Sequence, residues 1–131
     1  MAARIKTSGD QFVNKVNLDE FCNNFINNYY SFWVTDVNKL LGSDMWKYYT
    51  KFSIEGKIVS SQEAVLFHKR LSDCTFKLLN KQYIPDGSRR MDIMVKGQFS
   101  KNGLSQIIVQ TFALIEVKGK FTIKSTQIFL I

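Results

Sequence analysis

Residues able to act as acid, base, nucleophile or metal ligand are sparse in this chain, with one histidine, His68, two cysteines, Cys22 and Cys74, and an aspartate, Asp92, set among alternating apolar residues. An Asp facing a His inside a cavity can move protons between substrate atoms, so these two are the pair to weigh for acid and base work. His68 precedes Lys69 and Arg70 at the end of a short amphipathic run, where a solvated or helix-capping role is expected. Asp92 alternates with Met91 and Ile93, and solvent or an interface is expected to outweigh a cavity for it. Cys22 and Cys74 make no CxxC pair and, with a lone histidine, cannot complete a tetrahedral metal site. They are expected as small buried hydrophobes in a reducing compartment. Phosphate-cradling glycine loops, metal-ligand spacings and nucleophile elbows are absent from the sequence. The chain is therefore expected to be no enzyme, with no catalytic residue, metal or cofactor.

Arg89 and Arg90, beside the turn Pro85-Asp86-Gly87-Ser88, are the candidate contacts for an anion, against the plainer role of a solvated hairpin end. The formal net charge is +7, which favours anionic partners, but the cations are scattered and form no basic arm. A weak RNA contact is the most that this spread suggests. Apolar stretches such as 107–109 and 128–131 are too short to cross a bilayer as helices, so a soluble chain outside the conventional secretory route is expected.

The elements that must position these residues follow from periodicity. At 131 residues, 45% hydrophobic, the chain suits one domain, with residues 1–16 a flexible lead-in and 17–131 the folded part. Asn17, with Glu20 at capping-box spacing, opens a helix whose stripe is Leu18, Phe21, Cys22, Phe25, Tyr29, Phe32 and Trp33. Its other face carries Asn23, Asn24, Asn27 and Asn28, weak helix formers, so burial of the aromatic stripe must stabilise it. A short helix over 35–41 is stopped by Gly42 as a left-handed residue, and another helical turn is expected over 44–47. A strand over 49–55 turns at Gly56 into a brief segment, 57–59, and Ser60 with Glu63 caps a helix over 61–71.

Beyond that helix, β-branched and aromatic residues predict four strands, at 75–84, 89–99, 104–117 and 121–131. Pro85 to Ser88, Lys101-Asn102-Gly103 and Lys118-Gly119 are turns short enough for antiparallel neighbours. Helices first and a long meander afterwards make an α+β fold with helices packed on a strongly curved antiparallel sheet.

The third of these strands is apolar on both parities, with Ile107, Val109, Ala113 and Ile115 on one side and Ile108, Phe112 and Leu114 on the other. In the fourth, Phe121, Ile123, Phe129 and Ile131 are expected to face one way and Ile128 and Leu130 the other. The helices cover one face, which leaves the second to a partner or a tail, unless the sheet curls enough for both parities to meet core. Gln110, Phe112, Leu114, Ile128 and Leu130 are expected to line the partner-binding face, with Gln110 setting the register through a hydrogen bond.

Read together, Phe25-Ile26-Asn27-Asn28-Tyr29-Tyr30, Ile54-Glu55-Gly56, Ile58 to Ala64, Val95 to Phe99 and Gln110 to Leu114 resemble the nuclear transport factor 2 family from Leu18 to the last residue. The resemblance implies a cone-shaped fold whose sheet dimerises face to face, working in nucleus, nuclear pore and cytoplasm. One branch is a homodimeric import carrier that grips the GDP form of the GTPase Ran and binds Phe-Gly repeats; for it, Glu55 would be the Ran contact. Its acidic hairpin tip matches Ser100 to Gly103 here, with no carboxylate and with Lys101 adding repulsion. The other branch is the small subunit paired with a larger mRNA export receptor, which Val59 to Glu63 resembles more closely. Thr126 and Phe129 replace the acidic residue and arginine usual near the family's last strand. The expected function is a transport adaptor of the second kind, with the import carrier and a cavity enzyme as alternatives.

Overall fold

A computed structural model describes residues 15–43, 46–87 and 89–131. Of the lead-in expected over 1–16, residues 1–14 lie outside the described residues, as do 44 and 45 at the start of the expected helical turn, while Lys15 and Val16 already belong to the first helix. Helix α1 spans Lys15–Thr35, α2 Val37–Leu41 and α3 Ser61–Arg70; the strands are β1 Trp46–Ile54, β2 Lys57–Ile58, β3 Thr75–Pro85, β4 Arg90–Lys101, β5 Leu104–Val117 and β6 Lys120–Leu130.

The stripe on α1 acts as its composition dictates. Leu18, Cys22, Phe25, Ile26, Tyr29 and Trp33 are buried, while the four asparagines at 23, 24, 27 and 28 face water. Each large side chain so buried contributes about 1.5–3 kcal/mol, enough to hold a helix rich in poor formers. The helix begins at Lys15, so Asn17 lies inside it and is not the cap that its spacing suggested. Asp36 then caps α2, its carboxylate accepting from the Lys39 amide at 3.2 Å. Gly42 ends α2 at φ −96°, an ordinary conformation and not the left-handed one expected. The helical turn expected near 44–47 gives way to strand, because Trp46 and Lys47 already belong to β1. On α3 the capping box is complete: Ser60 Oγ accepts from the Glu63 amide at 3.1 Å, and Glu63 Oε1 accepts from the Ser60 amide at 3.2 Å.

The six strands form one sheet in the order β2-β1-β6-β5-β4-β3. The meander from β3 to β6 is antiparallel, and β1 joins β6 in parallel, made possible by the long excursion through β2, α3, β3, β4 and β5 between them. Two bulges bend the sheet. Leu79 is the extra residue of β3 between Leu78↔Gly97 and Asn80↔Lys96, and Lys124 is that of β6 between Ser125↔Ala113 and Ile123↔Leu114. The second bulge reverses the parity of β6. Ile123 thereby joins Leu114 and Ile128 on the helix side, fully buried, and Phe121 meets Phe21 of α1 with ring centroids 5.1 Å apart. The expectation that Phe121 and Ile123 share a face with Phe129 fails for this reason, since an inserted residue shifts a period-two pattern by one.

Candidate interaction face

The face of the sheet beneath α1 is filled. On β4, Met91, Ile93, Val95 and Phe99 are buried, alternating with exposed Asp92, Met94 and Lys96. On β5 the matching set is Ile108, Gln110, Phe112 and Leu114, because Lys101 stands opposite Leu104 across the Asn102-Gly103 turn and the ladder carries Ile93 opposite Phe112. Phe112 packs edge-on against Phe25 and Tyr29, with centroids 5.1 and 4.9 Å away.

Gln110, Phe112, Leu114 and Ile128 are therefore not a partner-binding surface: all are 0–1% exposed, under the protein's own helix. Leu130 has the same parity but lies at the open end of β6, at 40% exposure. Apolar residues on both parities of β5 concealed which face the helix would take.

Gln110 does make an ordering hydrogen bond, directed inward. Tyr30 Oη donates to its Oε1 at 2.7 Å, while its Nε2 donates to Thr126 Oγ1 at 2.9 Å and to Tyr29 Oη at 3.2 Å. Thr126 Oγ1 donates onward to the Thr111 carbonyl at 2.7 Å. His68 closes the network. Its Nδ1 lies 2.7 Å from the Ala64 carbonyl, which can only accept, so the proton sits on Nδ1 and Nε2 accepts from Tyr29 Oη at 3.1 Å. The His68 ring is fully buried among Trp33, Trp46, Phe52 and Phe67, contrary to the solvated role expected beside Lys69 and Arg70. Helical spacing from Ala64 turns it inward while those two cations face water. Burial lowers its pKa to about 4, against the smaller opposing effect of the Ala64 carbonyl. Burial likewise raises the Tyr29 and Tyr30 hydroxyls above their ordinary value. These groups are satisfied by one another, and they tie α1 and α3 to the sheet.

Among the described residues, the other face of the sheet carries no helix. Thr111 and Ala113 of β5 are half-buried along its centre, Met94 of β4 and Phe129 of β6 are 36% and 38% exposed, and Ile58 and Ile84 stand at its two edges, each 66% exposed. Across it runs a groove of about 540 Å³ whose lining includes Lys51, Gln82, Asp92, Thr111 and Gln127. Exposed apolar side chains interleaved with polar ones around a groove are compatible with a protein interface. Sequence reasoning missed Thr111, Ala113, Met94 and Gln127, although the clean alternation of β4 and the short β4–β5 turn together carried the signal.

The remaining candidates are separated from one another. Asp92 faces the groove and His68 the interior, so the sheet lies between the two residues weighed for proton transfer. Arg89 and Arg90 are exposed at the β3–β4 end, within 4.0 Å of Glu116 and 3.9 Å of Asp86, so each already has a carboxylate neighbour. Glu55 sits in the β1–β2 turn at φ 53°, and its Oε1 accepts the Leu130 amide at 2.5 Å, sealing the end of the parallel β1–β6 pairing. Cys22 is buried and Cys74 half-buried, both as free thiols. Among the described residues no helix is long and apolar enough to cross a membrane, and no cluster of three or more metal-ligating side chains occurs.

No family model matches the chain, and no curated protein matches it by sequence. Solved structures do match its shape. The yeast UBP3-associated protein BRE5 superposes with a TM-score of 0.70 at 21% identity, covering 87% of this chain and 96% of that one. The complex of the yeast deubiquitinase Ubp3 with its Bre5 cofactor gives 0.66 at 20% identity, over 87% and 97%. An NTF-2-like protein of unknown function from Shewanella oneidensis gives 0.66 at 12% identity, over 86% and 98%. The chain thus has the nuclear transport factor 2-like fold, helices over a large curved mixed sheet. At these identities the likeness is one of fold.

Proposed function

We propose that this chain is a non-catalytic adaptor whose open sheet face pairs with another protein, and that its partner is a domain of the same fold in a larger mRNA export receptor. The observation that carries the pairing is the face left uncovered by the described residues, whose groove of about 540 Å³ is lined by Ile58, Ile84 and Met94, with exposed Phe129 on the same side. With the described residues alone, a monomer leaves that apolar material wet. The choice of receptor rests on the resemblance of Val59 to Glu63, and it carries with it action in the nucleus, at pore Phe-Gly repeats and in the cytoplasm. The Ran carrier has less support, because Glu55 is engaged by the Leu130 amide. The structural match to a deubiquitinase cofactor favours a second reading, in which the partner is an enzyme of that class.

Co-expression with the corresponding domain of an mRNA export receptor tests the proposal. An equimolar complex is expected, lost on Ala113→Asp while the variant melts like the parent. Co-elution indifferent to that substitution would remove the sheet face from the pairing, and failure of the parent to co-elute would remove the receptor.

A further inference from the structure

The charge on the open face narrows the chemistry of its partner. By register, Lys51 of β1, Lys77 of β3 and Lys96 of β4 project on the same side as Thr111 and Ala113, as does Arg90, whose guanidinium lies 3.9 Å from Asp86. All three lysines are exposed, and among the described residues none of the three has an ion pair. Asp92 is the carboxylate that the β4 strand offers on this side, beside Met94 in the groove. The face therefore mixes exposed apolar side chains with polar ones, and its cations, Lys51 in the groove and Lys77 and Lys96 outside it, form a broken ring that outnumbers Asp92.

Two copies stacked face to face would bring two such rings together with one β4 carboxylate apiece, in a chain whose net charge is already +7. Like charges brought together across an interface oppose association, whereas opposite charges steer and orient it. A partner with acidic side chains around its own apolar centre turns the same lysines from repulsive to attractive and still covers Ile58, Met94 and Ile84.

We infer that the open sheet face selects against self-pairing and takes a different protein chain, one that presents carboxylates around an apolar patch. This rests on the face being the interaction surface proposed above; it adds the partner's charge and disfavours the homodimer.

A partner of that chemistry can be made from the chain itself. The variant Lys51→Glu/Lys77→Glu/Lys96→Glu keeps the apolar side chains of the face and inverts its cations at exposed strand positions. Sedimentation of parent alone, variant alone and the mixture, at low and raised salt, reads the pairing directly. The mixed pair is expected to be at least about tenfold tighter than the parent self-pair and to weaken as salt rises. A parent that self-associates as tightly as the mixture, and loses this on Ala113→Asp, overturns the inference while leaving the face as the interface. Absence of pairing in every sample, with all melting curves intact, overturns both. Pairing of the mixture that survives Ala113→Asp in both chains places the contact elsewhere and likewise overturns both.

Discussion

Gly97 lies directly under the ring of Phe76: a Cβ built at this glycine would fall 2.4 Å from both Cε1 and Cζ. The phenyl ring is held there by Tyr30 of α1, against which it stacks at 4.1 Å with planes 1° apart. Strand β4 gives up a side chain so that β3 can reach across it to the helix. Gly97→Ala is expected to destabilise by about 1–3 kcal/mol through overpacking. In a Phe76→Ala background the same change should cost much less, and urea unfolding of the double-mutant cycle measures the difference.

Tyr30 depends on Gln110 at its other end. Gln110→Leu strands the Tyr30 hydroxyl in a dry interior and is expected to cost about 1–3 kcal/mol. Tyr30→Phe added to it should recover part of that loss. Association through the open face should be unchanged in either variant, because Gln110 is buried on the opposite side.

The two parities of β5 separate folding from binding. Phe112→Asp places a carboxylate among Phe25 and Tyr29 and is expected to cost more than about 4 kcal/mol, which unfolding by heat or urea will show. Its neighbour Ala113 sits on the open face, and Ala113→Asp should leave the melting temperature close to the parent's while abolishing partner binding.

His68 links stability to pH. Its folded pKa of about 4 lies below the ordinary 6.5, so the unfolded chain holds the proton more tightly. The neutral ring's full contribution is present above about pH 6.5 and is lost as pH falls toward 4, a loss of about 3 kcal/mol with no further change below that. Unfolding free energies measured across this window should fall for the parent, and His68→Gln should remove that component of the slope.

Glu55 holds the end of the last strand. Glu55→Ala is expected to speed hydrogen exchange at the Leu130 amide roughly tenfold, with a global cost of about 1 kcal/mol. Unchanged exchange at that amide would show that the carboxylate is free for an external partner.

Much of this molecule was written in local pattern. The aromatic stripe of α1, the Ser60–Glu63 box and the turns at Gly56, Asn102-Gly103 and Lys118-Gly119 specify helices and hairpins because each depends on neighbours a few residues away. Even the inward side of β5 was encoded, since β4 alternates cleanly and the Asn102-Gly103 turn locks its register to β5. Three features depended on contacts distant in sequence. The parallel β1–β6 pairing joins segments some seventy residues apart, as the Glu55–Leu130 separation of 75 shows. The Lys124 bulge moved Phe121 and Ile123 to the helix side, a one-residue slip that composition does not register. The burial of His68 needed Tyr29, 39 residues away, to supply the donor that makes a neutral imidazole tolerable inside. Local chemistry determined which elements exist; packing between distant elements decided which face of the sheet is closed, because α1 covers one apolar parity of β5 and, among the described residues, no helix covers the other.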